Sequence, residues 1–180
     1  TYKHKSVSKF DRVLENSVGV GTFVNTCPLQ VGSMDCYDIS KYAIAIHGGA
    51  GTILKSTMTP EKELAYTQAM QDAINAGETI LKNGGTALDA VELAIVSLEN
   101  NPLFNAGKGA VFTKTGKHEM DACIMNGKDL TAGAVAGVSN IKNPISLSRA
   151  VMEKSEHVFL AGLGALDFAK KINAKFEDDD

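Results

Sequence analysis

An apolar stretch that runs directly into a glycine-rich loop constrains the fold more than any other feature of this sequence. Residues 42–46 suit a short strand, and the five residues His47 to Gly51 follow with three glycines. Because glycine leaves its amide unhindered, such a loop allows close approach to an anion. A tight turn that binds nothing fits the same residues, so the sequence alone leaves both interpretations open.

Common nucleotide-binding and hydrolase motifs do not fit this chain. A dinucleotide fingerprint would need a third glycine at Leu54, and the Gly-Lys-Ser/Thr ending of a P-loop is missing. The nearest serine elbow, Gly137-Val-Ser139-Asn-Ile141, has isoleucine in place of its second glycine. Phosphate binding and serine hydrolysis are therefore disfavoured.

Two helices are predicted after the glycine loop. Thr59-Pro60-Glu61 is a strong helix start, and the helix is expected to reach Leu81 or Lys82. The turn formers of residues 83–85 end it, and Thr86 caps the second helix. The second helix has one apolar face, so the two helices should pack as a pair; this face holds Ala87, Val91, Ala94, Ile95 and Leu98.

The second half of the chain predicts strands followed by helices. Three strands, joined by turns at residues 115–117 and 126–127, predict an antiparallel meander over residues 110–113, 118–125 and 132–139. Helices are expected over residues 143–154 and 160–171. Because this order does not alternate as βαβ units do, the predicted fold class is α+β, with antiparallel strands covered by helices.

Charge and cysteine content narrow the class of protein. The net charge of −3 provides no basic field for nucleic acid or an anionic membrane. The apolar stretch Val18 to Val24 is too short for a signal or membrane segment. Cys27, Cys36 and Cys123 form an odd set without a CxxC pair, which predicts reduced thiols and a cytoplasmic protein. Cys123, in an alternating strand, is predicted to be a buried structural thiol.

Other polar residues could take part in chemistry, but each also has a simple structural explanation. Residues 118–121 and 153–157 hold metal-capable side chains, but neither segment has the paired histidines of a zinc helix, so surface positions are favoured. Asn105 could orient a reacting group through its amide or satisfy the backbone of its loop. The residues around Asn105, taken alone, favour the loop-backbone role.

Five ordered segments together closely resemble one family, the plant-type L-asparaginases/isoaspartyl peptidases. The resemblance covers about residues 42–170 and is carried by residues 47–51, 102–109, 120–127, 132–137 and 143–145. It implies an N-terminal nucleophile hydrolase with an αββα sandwich, made as a precursor that cleaves itself into α and β subunits. Residues 41–172 correspond to the α subunit and 173–180 to an acidic linker, while residues 1–40 are an irregular, unassigned leader.

The resemblance also implies where the chemistry lies. In the family a β subunit begins with threonine in a Gly-Thr-Val-Gly context, its hydroxyl attacking the substrate amide while the freed amine accepts the proton. Thr22, Thr52 and Thr86 follow glycine here, but none continues as Thr-Val-Gly, and Thr131 follows Leu130. We therefore expect no catalytic nucleophile in this chain and no activity without the β subunit. The substrates implied are L-asparagine and isoaspartyl dipeptides, and the assembly implied is an (αβ)2 dimer.

Supporting residues follow from the same resemblance. Gly48 and Gly49 are expected near the active centre, and Asn105 is expected to approach the nucleophile. A structural sodium ion is expected on main-chain carbonyl oxygens, which suit a hard cation; the residues are Leu98, Glu99, Asn101, Phe104, Ala106 and Lys108. Asn126 departs from an aspartate common in the family. Related glycosylasparaginases or threonine aspartases, and a non-catalytic fragment or pseudoenzyme, are the alternatives.

Overall fold

The computed structural model describes the backbone of residues 19–23 and, in full, residues 42–49 and 58–177. This part of the chain folds as a mixture of strands and helices, which confirms the mixed class in outline. Its regular elements are β1 (Gly19–Phe23), β2 (Ala43–His47), α1 (Pro60–Lys82), α2 (Ala87–Glu99), a 3-10 helix (Gly107–Gly109), β3 (Met120–Met125), β4 (Ala132–Val138), α3 (Pro144–Lys154), β5 (Phe159–Ala161) and α4 (Gly162–Lys171).

The predicted first strand exists as β2 and pairs antiparallel with β1, from Gly19 opposite His47 to Phe23 opposite Ala43. β1 lies within the leader that was expected to be irregular, so that segment contains a regular element. The remaining leader residues, including Cys27 and Cys36, lie outside the described residues, as do Ala50 and Gly51.

Helices α1 and α2 begin at the predicted capping residues. The Thr59 hydroxyl oxygen accepts a hydrogen bond from the Lys62 amide at 3.3 Å, and that of Thr86 accepts from the Asp89 amide at 3.1 Å. The two helices pack against each other as expected, burying small residues that allow close contact. Ala73, Ala90 and Ala94 are each 0% exposed.

The second sheet has the order β3-β4-β5, and β5 was not predicted: the last helix was expected from Leu160 but begins at Gly162. β3 and β4 are antiparallel as expected, but β5 runs parallel to β4, with Phe159 opposite Ala134. A parallel neighbour needs a crossover connection, which α3 provides. The all-antiparallel expectation was therefore wrong: the three residues of β5 show no strand pattern of their own. The strand predicted at 110–113 is reduced to a bridge between Phe112 and His118.

Helix α3 covers one face of this sheet, with α4 packed against β4 beside it. A Cβ on Gly133 of β4 would collide with the Ser148 carbonyl of α3 and lie 2.6 Å from the Met152 amide nitrogen, so only glycine allows this approach. Val135, Val138, Leu147 and Val151 form the centre of the core here.

The opposite face of the sheet carries nothing in the part of the chain that the structure describes. Because strand side chains alternate, Cys123 lies on this face while Ile124 is buried. The prediction of a buried Cys123 was therefore wrong: the thiol is exposed. No helix among the described residues is long and apolar enough to cross a membrane.

Candidate functional site

The glycine loop is held by its own histidine and by two side chains beneath it. The Gly49 amide donates to His47 Nδ1 at 3.2 Å, and Gly49 has a φ of 104°. A Cβ on Gly48 would lie 2.8 Å from the Met70 sulfur and 3.3 Å from the Phe104 ring. A side chain at position 48 would therefore require the end of Met70 to move and the Phe104 ring to shift slightly.

Phe104 brings a second loop, residues 100–109, to the glycine loop. Its ring is 3% exposed and meets the Tyr66 ring edge-on, with centroids 5.8 Å apart. The structure thus unites two segments that the sequence singled out separately, the glycines at 48–49 and the loop that carries Asn105.

Asn105 itself is exposed and serves its own loop. Its Oδ1 accepts a hydrogen bond from the Val111 amide at 2.9 Å, spanning six residues. This is the backbone role that its residue type favoured. Its approach to a nucleophile stays a prediction.

The sodium site expected on residues 98–108 stays a prediction; Leu98 and Glu99 lie in the last turn of α2, and the other expected residues follow the helix. The carbonyl oxygen of Leu98 accepts from the Asn101 amide at 3.1 Å, and that of Phe104 accepts from Ala106 at 2.8 Å. The Leu98 oxygen also accepts from the Asn100 amide, so both of its lone pairs are engaged. The Phe104 oxygen has a second lone pair of the kind that suits a hard cation. The described residues hold no cluster of three or more His, Cys, Asp or Glu side chains suited to a metal, so an ion here would depend on carbonyl oxygens.

Glu99, expected to contribute its carbonyl alone, has a buried side chain with a separate role. Burial raises the pKa of its carboxyl to about 7, against the opposing effect of hydrogen bonds from the Ile145 amide and from Asn143. Sequence reasoning missed this contact between helices. A signal existed: an acid at the last residue of a helix opposes the helix dipole and therefore needs a partner.

A charged network between α2 and α3 was also missed. Arg149 Nη1 lies 2.7 Å from both Asp89 and Glu92, and its Nε lies 2.8 Å from Glu153. The Ser146 hydroxyl donates to Glu92 at 2.6 Å. A cavity of about 580 Å³ borders this network, and none of its lining residues belongs to either loop of the candidate site.

Comparison with known proteins decides the family. A family model described as asparaginase matches residues 40–180, which include both loops and the β3-β4-β5 sheet. The chain belongs to the asparaginase family. Membership confirms the resemblance carried by the five ordered segments, and it leaves β1 outside the matched residues.

Named members of the asparaginase family share about half of their matched residues with this chain. An isoaspartyl peptidase of Salmonella typhimurium is 51% identical over 131 residues, covering 73% of this chain and 42% of the relative. A plant-type L-asparaginase of Thermococcus kodakarensis is 53% identical, covering 77% of this chain and 43% of the relative. One from Pyrococcus abyssi is 56% identical, covering 71% and 40%. The chain thus spans about two fifths of the length of these relatives.

Proposed function

We propose that this chain forms the N-terminal, α-subunit part of a threonine-dependent amidohydrolase that hydrolyses L-asparagine to aspartate and ammonia and cleaves isoaspartyl dipeptides. The observation that carries the proposal is the roughly 50% identity to relatives named isoaspartyl peptidase and plant-type L-asparaginase. Both names describe hydrolysis at an aspartyl side-chain amide, so one site chemistry accounts for both.

The threonine nucleophile is assigned to a β subunit from the same precursor. Within the 180 residues, no threonine stands in a Gly-Thr-Val-Gly context. Thr131 lies in the segment that most resembles the start of a β subunit. Its hydroxyl donates to Asp129 at 2.7 Å, and it has no free α-amine because peptide bonds join it to both neighbours. A threonine hydroxyl is a weak nucleophile, and an adjacent free amine of near-neutral pKa activates it.

The open face of the β3-β4-β5 sheet supports a partner layer. Met125 is 59% exposed and Phe159 is 56% exposed, and the alanines of β4 lie between their strands. An apolar sheet face of this kind is buried by a second sheet in sandwich folds. We assign that layer to the β subunit, which completes an αββα sandwich, and the assembled unit to an (αβ)2 dimer.

The site residues follow within this proposal. Gly48 and Gly49 line the active centre, and Asn105 orients the nucleophile. The segment of residues 98–108 takes a structural sodium ion through its carbonyl oxygens. The odd set of three cysteines supports a reducing compartment, the cytoplasm.

The proposal is tested on the full-length protein and on residues 1–180 alone. Full-length protein should split into two chains, the second beginning with threonine by N-terminal sequencing, and should release ammonia from L-asparagine and aspartate from β-aspartyl-leucine. Residues 1–180 alone should release neither.

The control is the full-length protein with that threonine replaced by alanine, which should remain one inactive chain. A full-length protein that hydrolyses neither substrate would instead support a non-catalytic role and sink the proposal. Activity on glycosylated asparagine, with none on free asparagine, would move the protein to the glycosylasparaginase type.

A further inference from the structure

Glu99 occupies a position where an acid is unfavourable. It is the last residue of α2, at the negative end of the helix dipole, and it is 3% exposed. A buried acid at such an end costs free energy unless strong partners compensate it. The partners are therefore informative about its role.

The carboxylate of Glu99 caps a different helix. Its Oε1 accepts from the Ile145 amide at 2.9 Å, one of the amides at the start of α3 that have no partner within their own helix. Asn143, the N-cap residue of α3, makes no side-chain cap bond of its own. Its Nδ2 instead donates to Glu99 Oε2 at 3.1 Å and to Asn100 Oδ1 at 3.2 Å.

The main chain of Glu99 is in close contact with Gly107. Gly107 has a φ of 52°, and a Cβ there would collide with the Glu99 carbonyl oxygen and lie 2.7 Å from the Glu99 Cβ. The loop that leaves α2 at Asn100 therefore returns to Glu99. One residue holds both the start of this loop and its return, while its side chain holds α3.

The loop between these two points supports the glycine loop. Phe104, at its centre, contacts Tyr66 and would meet a Cβ on Gly48 at 3.3 Å. Any change in how Glu99 holds the loop is therefore passed to residues 47–49 through one buried ring.

We propose that Glu99 is a positioning residue, whose carboxylate caps α3 from the end of α2 and thereby fixes loop 100–109 and, through Phe104, the glycine loop. The catalytic consequence rests on the proposed function; the effect on the loop does not.

The test is limited trypsin cleavage after Lys108, an exposed residue within the loop, on full-length protein. Glu99→Gln replaces an acceptor with an amide that faces the donor of Asn143. Opening of the loop should become easier and cleavage after Lys108 about tenfold or more faster, because a buried hydrogen bond is lost and its polar groups are left unpaired. The value of kcat for L-asparagine should fall, with KM changed less.

Rescue distinguishes positioning from general destabilisation. In Glu99→Gln/Asn143→Asp the donor and acceptor are exchanged, so the bond re-forms once the Asn100 amide turns its nitrogen towards the new carboxylate. Both the cleavage rate and kcat should then return towards wild type. Glu92→Gln is the matched control: it also weakens a glutamate of α2 that binds α3, at Ser146 and Arg149. It should leave cleavage after Lys108 unchanged.

The outcomes are decisive. Cleavage of Glu99→Gln at the wild-type rate, equal acceleration in Glu92→Gln, or no recovery in the double variant each overturns the proposal. If Glu99→Gln yields no folded protein, recovery of folded protein in the double variant supports it and continued failure overturns it. A protein inactive on both substrates would defeat the proposed function, yet the Lys108 cleavage rates would still decide the role of Glu99.

Discussion

Arg149 of α3 links this helix to α2. Its guanidinium lies 2.7 Å from Asp89 and from Glu92, both on α2. Asp89 also receives the Thr86 hydroxyl at 2.7 Å, which completes a reciprocal cap at the start of α2. The Thr86 hydroxyl first, and then Arg149, hold the pKa of the Asp89 carboxyl below its ordinary value.

We predict that Asp89→Asn lowers the free energy of unfolding at pH 7 by about 0.5 kcal/mol, a value kept small because solvent screens a partly exposed pair. Since the pKa of Asp89 is lowered in the folded state, its stabilisation is present above its ordinary pKa of about 3.9 and is lost as the pH falls through the folded value. Urea unfolding at pH 7 and near pH 2 should therefore show the difference from wild type disappearing in acid. Asp72→Asn, on the exposed side of α1, is the control; a difference that persists unchanged in acid would contradict the assignment.

At the scale of elements, helix α3 connects the parts of the molecule. It is the crossover between β4 and β5, its N-terminus is capped by Glu99, and its inner side lies against the sheet at Gly133. The contact at Gly133 is backbone to backbone, so neither element can yield by rotating a side chain. The spacing of helix and sheet is therefore set by the absence of a Cβ at this residue.

Gly133→Ala should destabilise the protein by about 2 kcal/mol or more, as overpacking does where neighbours cannot move. Gly164→Ala, in α4 with nothing near its Cβ position, is the matched control and should raise stability by about 0.5 to 1 kcal/mol, because alanine favours a helix over glycine. Thermal unfolding of both variants measures the effect. Equal stability of the two would show that helix and sheet are not in the contact described.

For the whole molecule, the main feature is a sheet that the described residues cover on one side only. Helices α3 and α4 bury the side of Val135 and Val138, while Cys123 and its cross-strand neighbours Ala134 and Phe159 form a row on the other side. Exposed apolar rows of this kind mark a surface that another layer covers.

The reactivity of the Cys123 thiol shows whether such a layer covers the sheet. In the full-length protein we expect alkylation of Cys123 by iodoacetamide to be slower in the native state than in urea by about two orders of magnitude, because covered thiols react only when the structure opens. Peptide mapping by mass spectrometry gives the rate at this residue alone. Rapid native alkylation of Cys123 would mean that nothing covers the sheet and would remove the structural support for a β-subunit layer.

The sequence alone determined the elements whose signals are local. Thr59 and Thr86 could be predicted as caps because a cap bond closes within three residues, and the family motifs placed the glycine loop and loop 98–108. Tertiary structure decided the rest. β5 is a strand because it pairs with β4. Cys123 is exposed because the helices pack on the other side of its sheet. Glu99 binds Asn143 and Ile145, which lie more than forty residues away in the chain. Such contacts depend on how helices and strands come together, and no local pattern of residues records that.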